Sequence, residues 1–124
     1  MMLAKQWLMF GCISAFFGIA FGAFGGHILK NILDEKAFSI YLIGVQYQMY
    51  HALALVALGL WAGQNSGINT HFAGWAFTAG IMAFSGSLYI LALTNLRFLG
   101  MITPVGGLSF LAGWIAFAFL VWKA

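Results

Sequence analysis

Apolar residues run along this chain in long stretches, separated by short polar or turn-forming segments. The first stretch, from Gln6 to Leu29, contains no charged side chain. None occurs again between Lys36 and Arg97, an interval long enough for two membrane spans of about 20 residues each. Within that interval, Gln64-Asn65-Ser66-Gly67-Ile68-Asn69-Thr70 reads as a polar turn. A further break from Thr94 to Met101 carries Arg97. The pattern predicts an all-α fold in one domain covering residues 1–124. It is an integral membrane bundle of about four transmembrane helices. Their cores fall near residues 7–26, 43–62, 71–93 and 104–122.

Local signals sharpen the ends. Asp34 is suited to cap a helix beginning at Glu35. Continued to Trp61, that helix is about 40 Å long at 1.5 Å per residue, against a hydrocarbon core of about 30 Å. Its first turns therefore belong in the headgroup zone, or the helix tilts. Thr103-Pro104 reads as a helix start, with Thr as N-cap and Pro at the first helical position, where its missing N–H costs nothing. Trp7, Trp61 and Trp122 fall near predicted span ends, as in an interfacial aromatic belt. Trp75 and Trp114 lie deeper and fit that belt less well.

Small residues recur at helical spacing. Gly11, Ala15, Gly18, Gly22 and Gly26 share one face of the first span. Lipid supplies no hydrophobic drive for helices to associate, so such faces matter because they let backbones approach closely. The glycines Gly11, Gly18, Gly22 and Gly26 are therefore expected to pack against another helix. Ala76, Gly80, Ala83 and Ser87 make a similar face on the third span, and Gly106, Ser109, Gly113 and Ala116 on the fourth.

Composition supports a lipid environment. Hydrophobic residues make up 64% and charged residues 6%, whereas a soluble domain carries about 25% charged residues to cover its surface. The lipid bilayer is thus the main partner. The net charge of +3 is explained by a few cations at helix ends meeting lipid headgroups. No basic cluster points to nucleic acid. The run from Gln6 to Leu29 exceeds the 7–15 residues typical of a signal-peptide apolar region, so it is read as a retained span. The single cysteine, Cys12, excludes a disulfide framework and reads as a packing residue.

The richest stretch for chemistry is Val45-Gln46-Tyr47-Gln48-Met49-Tyr50-His51, which places polar side chains inside a predicted span. Each needs a partner or a wet cavity in hydrocarbon. Tyr47, Gln48 and His51 fall on one broad face with Gly44, and Ser85 and Ser87 on the third span are candidate partners. Two readings compete: a polar pocket in which His51 carries protons or a ligand, or a hydrogen-bonded cluster that fixes packing. The second is preferred, because no Asp, Glu, Lys or Arg lies within the spans.

His27 and His71 fall at span ends on opposite sides of the membrane; His27 and His51 lie toward the same side, but His51 is about 12 Å deeper by helical rise, a poor match for axial haem ligation. No carboxylate or thiol joins the histidines to make a metal site. No nucleophile–base constellation, phosphate loop or dinucleotide fingerprint is present. Neither cofactor nor metal is expected, and no catalytic residue is assigned.

Several blocks together resemble a known family, "domain of unknown function 423", of small membrane proteins. They are Gly22-Ala23-Phe24-Gly25-Gly26-His27, Val45 to Leu55, Phe84-Ser85-Gly86-Ser87-Leu88-Tyr89-Ile90-Leu91-Ala92-Leu93 and Ile102-Thr103-Pro104-Val105-Gly106-Gly107-Leu108, with Gly113-Trp114 following. Gly26 departs from the pattern, which has alanine before the histidine. The resemblance implies a multi-pass plasma-membrane protein and no reaction. The leading expectation is a non-enzymatic bundle that supports membrane integrity or an assembly, with a second copy or another membrane protein as partner. The alternatives are a small oligomeric transporter or channel with a Gln48/His51 path, and a lipid or quinone binder.

Overall fold

The computed structural model describes residues 2–124. Four helices are each long and apolar enough to cross a membrane. They are α1 (Leu3–Leu29), α2 (Glu35–Gln64), α3 (His71–Thr94) and α4 (Thr103–Lys123), the last preceded by a 3-10 turn at Arg97–Met101. Large apolar side chains point outward, among them Phe16, Phe24, Met82 and Ile115. Such a surface suits lipid and not water.

The start of α2 follows from its capping residue. The Asp34 carboxylate accepts a hydrogen bond from the Ala37 N–H at 2.7 Å, satisfying one of the free donors of the first turn. The 30 residues of α2 make it about 45 Å long, so its ends extend past the hydrocarbon. Thr103 does not act as a cap. It is the first residue of α4, and its hydroxyl pairs with Ser87 Oγ at 2.6 Å and with the Leu99 carbonyl at 3.3 Å. Pro104 is therefore the second helical residue and not the first, one position later than expected but still inside the first turn.

Helix α1 packs along α2 and barely touches α3, whereas α3 packs closely on both α2 and α4. Glycines set both tight seams. In α1, a Cβ on Gly11 would fall 2.8 Å from the Ala52 carbonyl oxygen, and one on Gly22 would fall 2.9 Å from Val45 Cγ1. Gly18 is pressed against Met49 in the same way. Gly26 differs: its backbone is buried, yet a Cβ there would meet only Phe21 of its own helix, at 3.8 Å. Gly25 instead faces the Tyr41 hydroxyl of α2. Between α3 and α4, Gly106 lies against the Phe84 backbone, and Gly80 and Gly113 receive the rings of Phe110 and Phe77.

The core is built from large side chains set into these gaps: Trp7, Leu55, Leu58, Phe77, Ile81 and Phe110 pack with Ala54 and Ala73. Trp7 corrects the aromatic-belt reading. It is 0% exposed, donates through Nε1 to Thr70 Oγ1 at 2.9 Å, and lies with its ring against Gly74. The turn after α2 folds back over the end of α1 and gives the indole N–H a protein partner. Trp122 is 89% exposed at the end of α4.

Two of the helices contain a π-turn, Ala20–Gly25 in α1 and Ile81–Ser85 in α3. A π-turn inserts a residue and loosens the local hydrogen-bond ladder. In α1 the Phe21 carbonyl accepts from the Gly26 N–H and also from the Tyr41 hydroxyl at 2.6 Å, so a side chain of α2 adds a second hydrogen bond at the irregularity.

Candidate functional site

The intramembrane polar residues do not form one pocket. Gln48 and His51 both project from the middle of α2 and are both buried. Three residues apart, their side chains diverge by roughly 60° around the helix, enough to reach different neighbours.

Gln48 turns toward α1 and α3. Its Nε2 donates to the Ser14 carbonyl at 2.8 Å, and its Oε1 accepts from the Tyr89 hydroxyl at 2.5 Å. One amide therefore ties three helices together. Tyr89 also packs edge-on against Phe21, with ring centroids 5.3 Å apart. It occupies the space left by Gly44, where a Cβ would collide with its ring.

His51 turns toward α4. Its Nδ1 lies 2.8 Å from the Tyr47 carbonyl, and its Nε2 lies 3.1 Å from the indole Nε1 of Trp114. A carbonyl only accepts and an indole N–H only donates. The two partners thus fix the neutral tautomer, with the proton on Nδ1 and the lone pair of Nε2 facing Trp114. The imidazole also stacks on Phe110, with centroids 3.5 Å apart and planes 9° from parallel.

The remaining candidates take separate roles. Tyr47 meets His51 through its backbone carbonyl, while its ring packs on Phe84 and is partly exposed. Ser85 Oγ donates to the Gly44 carbonyl at 2.7 Å, joining α3 to α2. Ser87 pairs with Thr103 and joins α3 to the start of α4. Neither serine bonds to His51. Ser109 adds another link, from α4 to the Ala76 carbonyl of α3 at 2.7 Å.

Two partners were not singled out from the sequence. Trp114 is a weak belt candidate by position, but its N–H points into the bundle toward His51. Ser14 carries no local signal, yet its carbonyl is where Gln48 lands. Among the described residues, its hydroxyl is the one buried side-chain oxygen or nitrogen without a hydrogen-bond partner. His27 and His71 lie apart from this network at the membrane ends of α1 and α3. Among the described residues, no group of three or more His, Cys, Asp or Glu side chains comes together.

Comparison with known proteins gives a consistent relationship. The family described as "Protein of unknown function (DUF423)" matches residues 21–107. A UPF0382 membrane protein of Staphylococcus haemolyticus is 47% identical over 111 residues, covering 90% of each chain. UPF0382 membrane protein YwdK of Bacillus subtilis is 45% identical over 112 residues, covering 90% of this chain and 91% of its own. A relative from Staphylococcus aureus is 43% identical over 119 residues, covering 96% and 97% of the two chains. No solved structure matches the chain. With four spanning-length helices and these relatives along nearly its whole length, the chain belongs to the DUF423 family of membrane proteins of unknown function.

Proposed function

We propose that this protein is a non-catalytic bundle of the plasma membrane that supports membrane integrity or a larger assembly, with its intramembrane polar residues acting as staples between helices. The carrying observation is the bonding of His51. Both ring nitrogens are occupied, Nδ1 by the Tyr47 carbonyl and Nε2 by the Trp114 indole N–H. A proton carrier must change its protonation state, and protonating Nε2 would set an N–H against the Trp114 N–H. Gln48 is similarly engaged on both ends of its amide, and it faces away from the His51–Trp114 pair. The two residues therefore lack a shared lining for a path.

The test is purified protein in liposomes containing a pH-sensitive dye, with an imposed proton gradient. The expected result is the same slow leak for wild type, His51→Gln and protein-free vesicles. Faster proton entry with wild type that His51→Gln abolishes would replace this reading with a transport function.

A further inference from the structure

Between α1 and α3 the structure opens an apolar groove of about 580 Å³, within the range of about 300–1,000 Å³ common for small-molecule sites. It exists because α1 follows α2 and diverges from α3. Phe10, Phe17, Phe21, Ile81 and Met82 line its sides, and no charged residue borders it. Its polar border residues are Ser14, Gln48, Thr78 and Tyr89; the Thr78 hydroxyl is bonded to the Gly74 carbonyl and the Tyr89 hydroxyl to Gln48, which leaves Ser14 and Gln48. Both π-turns meet it, through Phe21 on one wall and Ile81 and Met82 on the other. Such irregular turns frequently occur at functional sites.

We propose that this groove binds an isoprenoid quinone from the bilayer, with a quinone carbonyl accepting hydrogen bonds from the Ser14 hydroxyl and the free N–H of Gln48. Among the described residues Ser14 Oγ is the buried donor without a partner, in a residue that borders the groove, and in the quinone-bound state it turns about χ1 to meet the carbonyl. Gln48 Nε2 makes one bond, to the Ser14 carbonyl, and carries a second N–H. Both donors want an acceptor.

Depth selects the occupant. Ser14 and Gln48 lie near the middle of α1 and α2, roughly 16 Å or more from either helix end at 1.5 Å per residue. The ester carbonyls of a phospholipid stay near the interface with their charged headgroup, and no cation in the groove would draw that headgroup inward. A quinone is neutral, so its head can enter the hydrocarbon. Its flat ring suits walls of Phe10, Phe17, Phe21 and Tyr89, and its prenyl tail can leave through the lipid-facing opening.

The experiment uses the full chain in phosphatidylcholine nanodiscs, titrated with a short-chain isoprenoid quinone, with quenching of tryptophan fluorescence as readout. Two variants separate chemistry from shape. Ser14→Ala removes the unpaired hydroxyl and leaves the helix seams intact. Gly86→Leu fills the groove from a position where a Cβ meets nothing within 4 Å. Saturable quenching is expected for wild type, with affinity about tenfold weaker in Ser14→Ala, as for one lost hydrogen bond, and no saturable phase in Gly86→Leu. Dioleoylglycerol, which offers ester carbonyls, should not displace the quinone. Three results would each overturn the proposal: quenching that rises linearly and equally in all three proteins, an unchanged affinity in Ser14→Ala, or displacement by dioleoylglycerol.

Discussion

Trp114 and His51 come from helices whose backbones do not pack closely, yet the indole N–H of one meets the imidazole Nε2 of the other at 3.1 Å. Side chains bridge the gap between α2 and α4, and Phe110 fills it by stacking on the imidazole. The pair links a polar demand on α2 to one on α4, so each residue relieves the other of an unpaired group in a low-dielectric interior.

Replacing one member should strand its partner. His51→Leu leaves the Trp114 N–H without its acceptor in a segment facing hydrocarbon and should destabilise the bundle by about 1–3 kcal/mol. His51→Gln retains an acceptor and should lose less. Thermal unfolding in a mild detergent orders the variants, and equal stability of His51→Leu and wild type would show that the bond contributes nothing.

The α1 seam should tolerate bulk unevenly. Gly18→Leu drives a side chain into Met49 and should cost about 1–3 kcal/mol or prevent folding, as overpacked cores do. Gly26→Ala should be close to neutral, because a Cβ there meets only Phe21 of its own helix at 3.8 Å. Melting temperatures and folded yield check the contrast. Comparable losses at both positions would mean that the stripe packs against α2 along its whole length.

Trp7 and Thr70 close the end of the bundle where the turn after α2 meets α1. Trp7→Phe keeps an aromatic ring, though a smaller one, and leaves Thr70 Oγ1, in a residue 0% exposed, without its donor. It should lower stability by about 1–3 kcal/mol. Thr70→Val should have a similar effect, and the double variant should lose less than the sum of the two. A double-mutant cycle with additive losses would contradict the bond.

What the sequence made readable is what local chemistry dictates. The start of α2 depends on Asp34 and the N–H three residues later, and the four helices follow from charge-free runs between turn residues. What was hidden depends on distant segments. Trp7 reads as an interfacial residue until the turn carrying Thr70 folds over it. Tyr47, Gln48 and His51 share a broad helical face, but the positions of α1, α3 and α4 decide that Gln48 meets Ser14 and Tyr89 while His51 meets Trp114. The π-turn of α1 leaves no clear sequence mark: its Phe21 carbonyl accepts from the Gly26 N–H and also from the hydroxyl of Tyr41, a residue of the next helix.

A second seam tests how α3 and α4 fit. Gly106 lies where any Cβ would overlap the Phe84 backbone, inside the π-turn of α3. Backbone cannot move aside as a flexible side chain can, so Gly106→Ala should be costlier than Gly107→Ala, whose Cβ would meet the Phe84 ring at an ordinary 3.8 Å. Folded yield of the two variants under matched expression measures the difference, and an equally stable Gly106→Ala would place the helices further apart.

The bonding of both ring nitrogens makes His51 a neutral staple with one fixed tautomer. Solid-state nitrogen-15 spectroscopy of the ring, with the protein in lipid bilayers, reads this directly. Between about pH 5 and 8, where histidine ordinarily changes charge, the spectrum should retain one protonated nitrogen, Nδ1, and one bare nitrogen, Nε2, in through-space contact with the Trp114 indole N–H. Two protonated ring nitrogens at neutral pH, or signals averaged by exchange between tautomers, would contradict the account and return His51 to the role of a proton carrier.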